Sequence, residues 1–380
     1  MNLRQEISDL TVFRAVLAAW IFSYSIDVYI NFSAWLGPFA GLVRHGYLGV
    51  DGFFMLSGLV LARVHPELSR VGVHPQLQWE KFGDPQPFHP RAWRFWAMRL
   101  GRIYPLHLVT IILFAVIFGA GAAAGLVPHD ASSFSLPAFL ENVFLLQGWG
   151  FSGPGAWNYP SWLVSAEWAG YLLFPLLWYL VSYLDHVVSI AFIFCCLTAL
   201  GLIDAEYQHT LNLSAGAALL RFLPEFLAGI AAARIVPSYA DFLPTRALAV
   251  LAAALILIFS SLGSDALTVA ALWLLLFSLT MQADAERAPL FAHPGWLRWA
   301  GQLSYALYMS FALVQLLLAL LFRYQGWTPS SHGLLFAAGM LGGTFAVAVV
   351  LHTTVELPCR RAAGRWLNTP ASPLQPIRSK

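Results

Sequence analysis

Ten runs of about 20 mainly apolar residues dominate this chain, and no soluble fold accommodates them. A helix needs roughly 20 such residues to cross the hydrocarbon of a bilayer. The runs fall at about 10–31, 46–63, 103–126, 161–183, 186–203, 215–235, 246–263, 266–282, 300–323 and 333–356. A membrane-spanning sheet needs alternation and closure, and these runs show neither. Composition agrees: the 380 residues are 59% hydrophobic and 11% charged, against about 45–50% and about 25% in soluble domains. The expectation is a single all-α domain over 1–380, a bundle of about ten transmembrane helices. Its first run begins after Arg4, contains Arg14 and lacks a small-residue cleavage site, so it reads as a span and not as a signal peptide.

Several classes of function are disfavoured at this level. A net charge of +2, with no basic stripe, gives no sign of a nucleic-acid partner. Cys195, Cys196 and Cys359 have neither disulfide-framework nor metal-ligand spacing, so no metal is expected. No zinc-ligand run, phosphate-cradling glycine loop, nucleophile elbow or nucleotide fingerprint is present.

Orientation follows from the basic residues. Arg63, Arg70, Lys81, Arg91, Arg94, Arg99 and Arg102 lie between the second and third spans or at their ends. Arg234, Arg246, Arg287, Arg298 and the tail residues Arg360, Arg361, Arg365, Arg378 and Lys380 fall on the same side of the alternation. Residues 127–160 and 204–214 contain no Lys or Arg. Both termini are therefore expected in the cytoplasm.

Charges inside spans cost about 2.5–3.5 kcal/mol each on insertion scales and mark function by default. Arg14, Asp51, Glu167, Arg221 and Glu225 are of this kind, and Glu356 ends the last span. The competing reading is a structural ion pair, for which Arg221 and Glu225, four apart, are spaced. Arg99 and Arg102 share a helical face at the expected membrane surface. They suit either phosphate binding or a positive anchor. Pro160-Ser161-Trp162 reads as a helix start that carries Ser165 and Glu167 into the span. Such a polar interior fits an enzyme, a transporter or a channel.

At these residues the sequence resembles the acyltransferase-3 family, bacterial membrane O-acyltransferases that modify sugars. The resemblance is carried in order by Leu10 to Arg14, Gly49-Val50-Asp51 through Gly58, and Arg99 to Pro105. It continues through Ser161 to Glu167 with Tyr171 and Pro175, Arg221 to Phe226 with Gly229, Ser304 to Tyr308, and Val355 to Pro358. It implies transfer of an acetyl group from cytoplasmic acetyl-CoA to a hydroxyl of a carbohydrate or glycolipid acceptor at the outer face of a bacterial inner membrane. Arg99, Arg102 and Tyr104 would then hold the donor, the two arginines on the CoA phosphates. Glu167 or Asp51 would orient a base or hydroxyl, with Ser165 nearby, and Arg14 would stabilise charge on the thioester carbonyl. Trp149, Trp157, Tyr159 and Trp162 can stack on sugar rings or form an interfacial aromatic belt.

One departure bears on chemistry. The family usually carries a histidine eleven residues after its first-span arginine, and here that position is Ser25. A second histidine, shortly after the Ser-Tyr-x-Leu-Tyr motif, is also missing, with Phe311 nearest its place. Imidazole titrates near neutrality and serves as a general base, whereas a serine hydroxyl must itself be activated. A native paralogue without turnover, an engineered inactive form, or a different base each account for Ser25. Asp27, His45 and His107 are alternatives for the last, with His107 expected toward the cytoplasmic side. A silent acetyl-CoA or glycan binder and a solute transporter stay open as other classes; inverted repeats, the mark of many transporters, are not seen.

Overall fold

The computed structural model describes residues 3–69, 88–123, 134–151, 157–285, 287–288 and 295–368. Arg70, Lys81, Arg378 and Lys380, counted above for orientation, lie outside them. The first helices are α1 (Leu3–Ile30), the short α2 (Ala40–Arg44), α3 (Gly49–Val64), α4 (Phe88–Ala123) and the short α5 (Leu136–Val143). There follow α6 (Trp162–Val181), α7 (His186–Glu206), α8 (Ala218–Tyr239), α9 (Thr245–Leu262) and α10 (Asp265–Asp284). The chain ends with α11 (Gly295–Tyr324), α12 (Gly333–Leu351), a π-helical turn (His352–Glu356) and α13 (Leu357–Asn368). No strand forms among the described residues.

Nine helical segments among the described residues are long and apolar enough to cross a membrane. The tenth expected span, 215–235, is the helix α8, which carries Arg221, Glu225 and Arg234 along its length. Those three charges, and not a lack of apolar residues, set it apart from the other nine, and the fold explains why it tolerates them. α8 is central and packs against α3, α6, α7 and α10. Gly58 of α3 and Gly229 of α8 let the backbones meet. A Cβ on Gly58 would collide with the Phe226 carbonyl, and one on Gly229 with the Met55 carbonyl.

Loops join the helices alternately at two ends of the bundle. At one end Arg63 forks onto Asp284, with its Nη1 3.0 Å from Oδ2. There Arg234 donates to the Leu184 carbonyl at 3.0 Å, and Arg287 to the Leu243 carbonyl at 2.9 Å. At the other end Asp265 accepts from the Tyr47 hydroxyl at 2.6 Å and from the Leu211 amide at 2.7 Å. The first is the basic end below.

Two expectations change. The third span was expected to begin at 103, with Arg99 and Arg102 at the membrane surface. Instead α4 begins at Phe88 and runs through Pro105, so both arginines lie on the helix itself, toward the basic end. The Pro105 break in the ladder is tolerated because neighbouring helices can satisfy the freed carbonyls. Arg221 and Glu225 were spaced to pair with each other, but the bridge goes to Asp51. Arg221 Nε donates to Asp51 Oδ1 at 2.6 Å, Nη2 to Asp51 Oδ2 and to the Tyr47 carbonyl at 3.1 Å. Both side chains are wholly buried.

The segment following α5 enters the bundle. Ser165 donates to the Leu145 carbonyl at 2.6 Å and accepts from the Gly148 amide at 3.0 Å. Non-helical backbone at membrane depth occurs where protein or a polar cavity surrounds it, and Ser165 supplies two of the bonds it needs.

Candidate functional site

A cavity of about 170 Å³ lies between α1, α3, α4, α6 and α11. It runs from the basic end, at Arg63 and Val64, to the first turn of α6, at Leu163. Apolar positions of α3 wall it, while α1, α4, α6 and α11 turn polar groups inward. Arg14 enters from α1, Arg99 and Arg102 from α4, Glu167 and Tyr171 from α6, and Ser304, Tyr305 and Tyr308 from α11. Helical spacing produces this set. Arg99 and Ile103 are one turn apart on α4, as are Leu163, Glu167 and Tyr171 on α6.

The hydrogen bonds show how the groups are held. The Tyr171 hydroxyl donates to Glu167 Oε2 at 3.2 Å. Arg99 Nη2 lies 2.8 Å from His65 Nε2. A guanidinium only donates, so His65 Nε2 accepts and its Nδ1 proton goes to Glu67 Oε1, 2.8 Å away. The Arg99 guanidinium also lies over the rings of Phe95 (5.6 Å) and Tyr171 (6.0 Å). The Tyr305 hydroxyl donates to the Ile103 carbonyl at 2.6 Å, tying α11 to α4 beside the cavity. Arg14 Nε and Arg99 Nε are buried without hydrogen-bond partners.

The lining thus carries four guanidinium groups and one carboxylate, Glu167. Arg63 is committed to Asp284. An excess of fixed cations around such a cavity suits a polyanionic ligand and a reaction that builds negative charge.

Of the residues singled out from sequence, Arg14, Arg99, Arg102 and Glu167 converge here. The others lie outside the lining. Asp51 has both oxygens on Arg221, so its carboxylate ties α3 to α8. Ser25 is buried, and its hydroxyl donates to the Ile21 carbonyl at 2.9 Å. Ser165 anchors the segment after α5. Tyr104 is half-buried against the core.

The aromatics divide. Trp149 donates through Nε1 to the Ser165 carbonyl at 3.1 Å. Trp157 packs edge-on against Phe118, Phe134 and Phe139. Trp162 lies between Phe54 and the Arg221 guanidinium, 5.7 Å from its ring centre. Tyr159 is exposed beside Phe311. His65, Ser57 and Tyr308 were given no role from sequence, although Ser57 and Tyr308 fall within segments that carry the resemblance. The His65 contact that reaches the site, with Arg99, lies 34 residues away in sequence.

Among the described residues no group of three or more His, Cys, Asp or Glu side chains is placed to hold a metal. The helical bundle thus sets an arginine-lined cavity among its spans. Residues 7–353 match the acyltransferase domain that defines the acyltransferase-3 family, and the chain belongs to that family. It is similar to the acyltransferase MdmB of Streptomyces mycarofaciens, with 27% identity over 353 residues, 84% of this chain and 82% of that protein. No solved structure matches it.

Proposed function

We propose that this membrane acyltransferase moves an acetyl group from cytoplasmic acetyl-CoA to a hydroxyl of an envelope or exported glycan or glycolipid. The observation that carries the reading is the convergence of Arg14, Arg99, Arg102 and Glu167, from three helices, in one cavity at the basic end. Under the positive-inside rule that end faces the cytoplasm of a bacterial inner membrane, which puts both termini there. The CoA phosphates then lie against Arg99 and Arg102, and the thioester points inward. Arg14, with an unpartnered Nε, takes the developing oxyanion. Glu167, held by Tyr171, orients the groups around the carbonyl. The acceptor approaches from the opposite end, past Tyr159 and the inserted segment.

The test is thiol release from acetyl-CoA by the purified protein in lipid nanodiscs. Arg99→Ala with Arg102→Ala is expected to raise KM for acetyl-CoA about 10²–10⁴-fold, as for the loss of two charge-assisted contacts of about 1.5–3 kcal/mol each. An unchanged KM removes the CoA assignment. A silent binding role gains support from Ser25, whose hydroxyl is already bonded to backbone. It predicts acetyl-CoA binding without thiol release.

A further inference from the structure

Beyond the inner end of the cavity, α4 carries a buried histidine with an unpartnered ring nitrogen. Arg99 and Ile103 line the cavity, and His107 follows one helical turn, about 6 Å, beyond Ile103 on the same face of α4. Its expected place was toward the cytoplasmic side; instead it meets Asn142 of α5, because α5 packs against the middle of α4. The side chain is fully buried. Nε2 lies 2.8 Å from the Asn142 carbonyl oxygen. A carbonyl only accepts, so Nε2 carries the proton. Nδ1 is buried and has no hydrogen-bond partner. In the neutral ring it holds the lone pair that a base uses.

The surroundings are polar and incompletely paired. Asn158 Nδ2 donates to Thr110 Oγ1 and to the Met309 carbonyl, both at 3.2 Å. Asn158 Oδ1 and Trp157 Nε1 are buried with no partner. An unmet buried polar atom costs about 1–3 kcal/mol, and several around one spot mark a place for a polar ligand or water. The cluster follows the cavity along α4, where His107 is one turn beyond the lining residue Ile103. Met309 follows the lining residue Tyr308. Ser161, which donates to Asn142 Oδ1 at 3.2 Å, precedes the lining residue Leu163 by two positions. Leu145 and Trp157, on either side of the cluster, have φ of 59° and 60°, and such strained backbone gathers at functional sites.

We propose that His107 is the catalytic base of this chain, that Nδ1 takes the proton of the acceptor hydroxyl, and that Asn158 Oδ1 and Trp157 Nε1 hold the hydroxyl-bearing part of the acceptor. The inference rests on the acyl-transfer reading above. The acceptor oxygen bonds to the thioester carbonyl carbon as its proton passes to Nδ1. The C–S bond then breaks, and the imidazolium returns the proton to the departing thiolate. Hydroxyl and thioester become ester and thiol, with no other reactant. Asn142 is a positioning residue, since its carbonyl fixes the tautomer that leaves Nδ1 unprotonated.

The experiment measures thiol release from acetyl-CoA in nanodiscs with n-octyl β-glucoside as the hydroxyl probe. His107→Gln keeps an N–H for the Asn142 carbonyl and removes the base. It is expected to lower kcat about 10²-fold, with KM for acetyl-CoA within about threefold, and added imidazole restores part of the activity of His107→Ala. Full kcat in His107→Gln overturns the inference and leaves the acyltransferase reading standing. If the unaltered chain releases no thiol, the donor reading fails, and a second measurement decides. In protein labelled with ¹⁵N-histidine, the resonance absent from His107→Gln is expected to show a protonated Nε2, and a Nδ1 signal that shifts with octyl glucoside. A Nδ1 signal indifferent to the probe overturns the inference.

Discussion

Arg221→Ala is expected to destabilise the protein by about 3–5 kcal/mol, the usual cost of leaving one member of a buried ion pair alone. The pair has no access to water: both side chains are wholly buried, and Arg221 meets Asp51 with Nε and Nη2. Glu225, one turn along α8, adds a second buried carboxylate to the same region. Alanine would leave two carboxylates and no guanidinium between α3 and α8. It would also uncover the ring of Trp162, over which Arg221 lies. Thermal unfolding of the detergent-solubilised protein, followed by tryptophan fluorescence, measures the loss. Asp51→Leu combined with Arg221→Met should recover most of it, since apolar replacements of a buried pair are often neutral or better. A single variant within about 1 kcal/mol of the parent would mean that the bridge does not hold these helices.

Arg14→Ala is expected to act on chemistry instead. Arg14 reaches the cavity from α1, near Glu167 and Arg102, with a buried and unpartnered Nε. A donor aimed at a developing oxyanion is worth about 10²–10³-fold in rate. The expected result is a fall in kcat of that size with KM for acetyl-CoA changed only a few-fold. Arg14→Lys keeps the charge but loses the planar fork, and should recover part of the rate. A rise in KM with kcat intact would move Arg14 from transition-state stabilisation to ground-state donor binding.

Much of the fold is legible in the sequence because the bilayer imposes a length rule that hydropathy reports directly. The span at 186–203 carries no Asp, Glu, Lys or Arg, and α7 follows it within a few residues. The rule weakens where a helix is surrounded by protein. α8 spans among other helices and can carry Arg221, Glu225 and Arg234, so its charge hides a helix that its surroundings explain. α4 continues well before its apolar run because Phe95 and Arg99 pack against α6, which the run itself does not record. The inserted segment after α5 has no period to read. Its position follows from Ser165 and Gln147, whose partners lie 14–20 residues away.

The site divides along similar lines. Arg14, Arg99, Arg102 and Glu167 are legible as charges that lipid would not tolerate without cause. Asp51 carries the same mark, but its charge answers Arg221, 170 residues away, and no local pattern distinguishes the two cases. His65 looks like a loop histidine until its contact with Arg99 is seen. His107 follows Pro105 in a basic motif and reads as interfacial, while its depth is set by α5.

The central claim is that the arginine-lined cavity receives the acyl donor. Electron cryomicroscopy of the full chain in nanodiscs, saturated with a non-hydrolysable thioether analogue of acetyl-CoA, tests it most directly. The account predicts density from Arg99 and Arg102 into the cavity, with the acyl group between Arg14 and Glu167. An empty cavity at saturation, or the analogue bound at another surface, would contradict it.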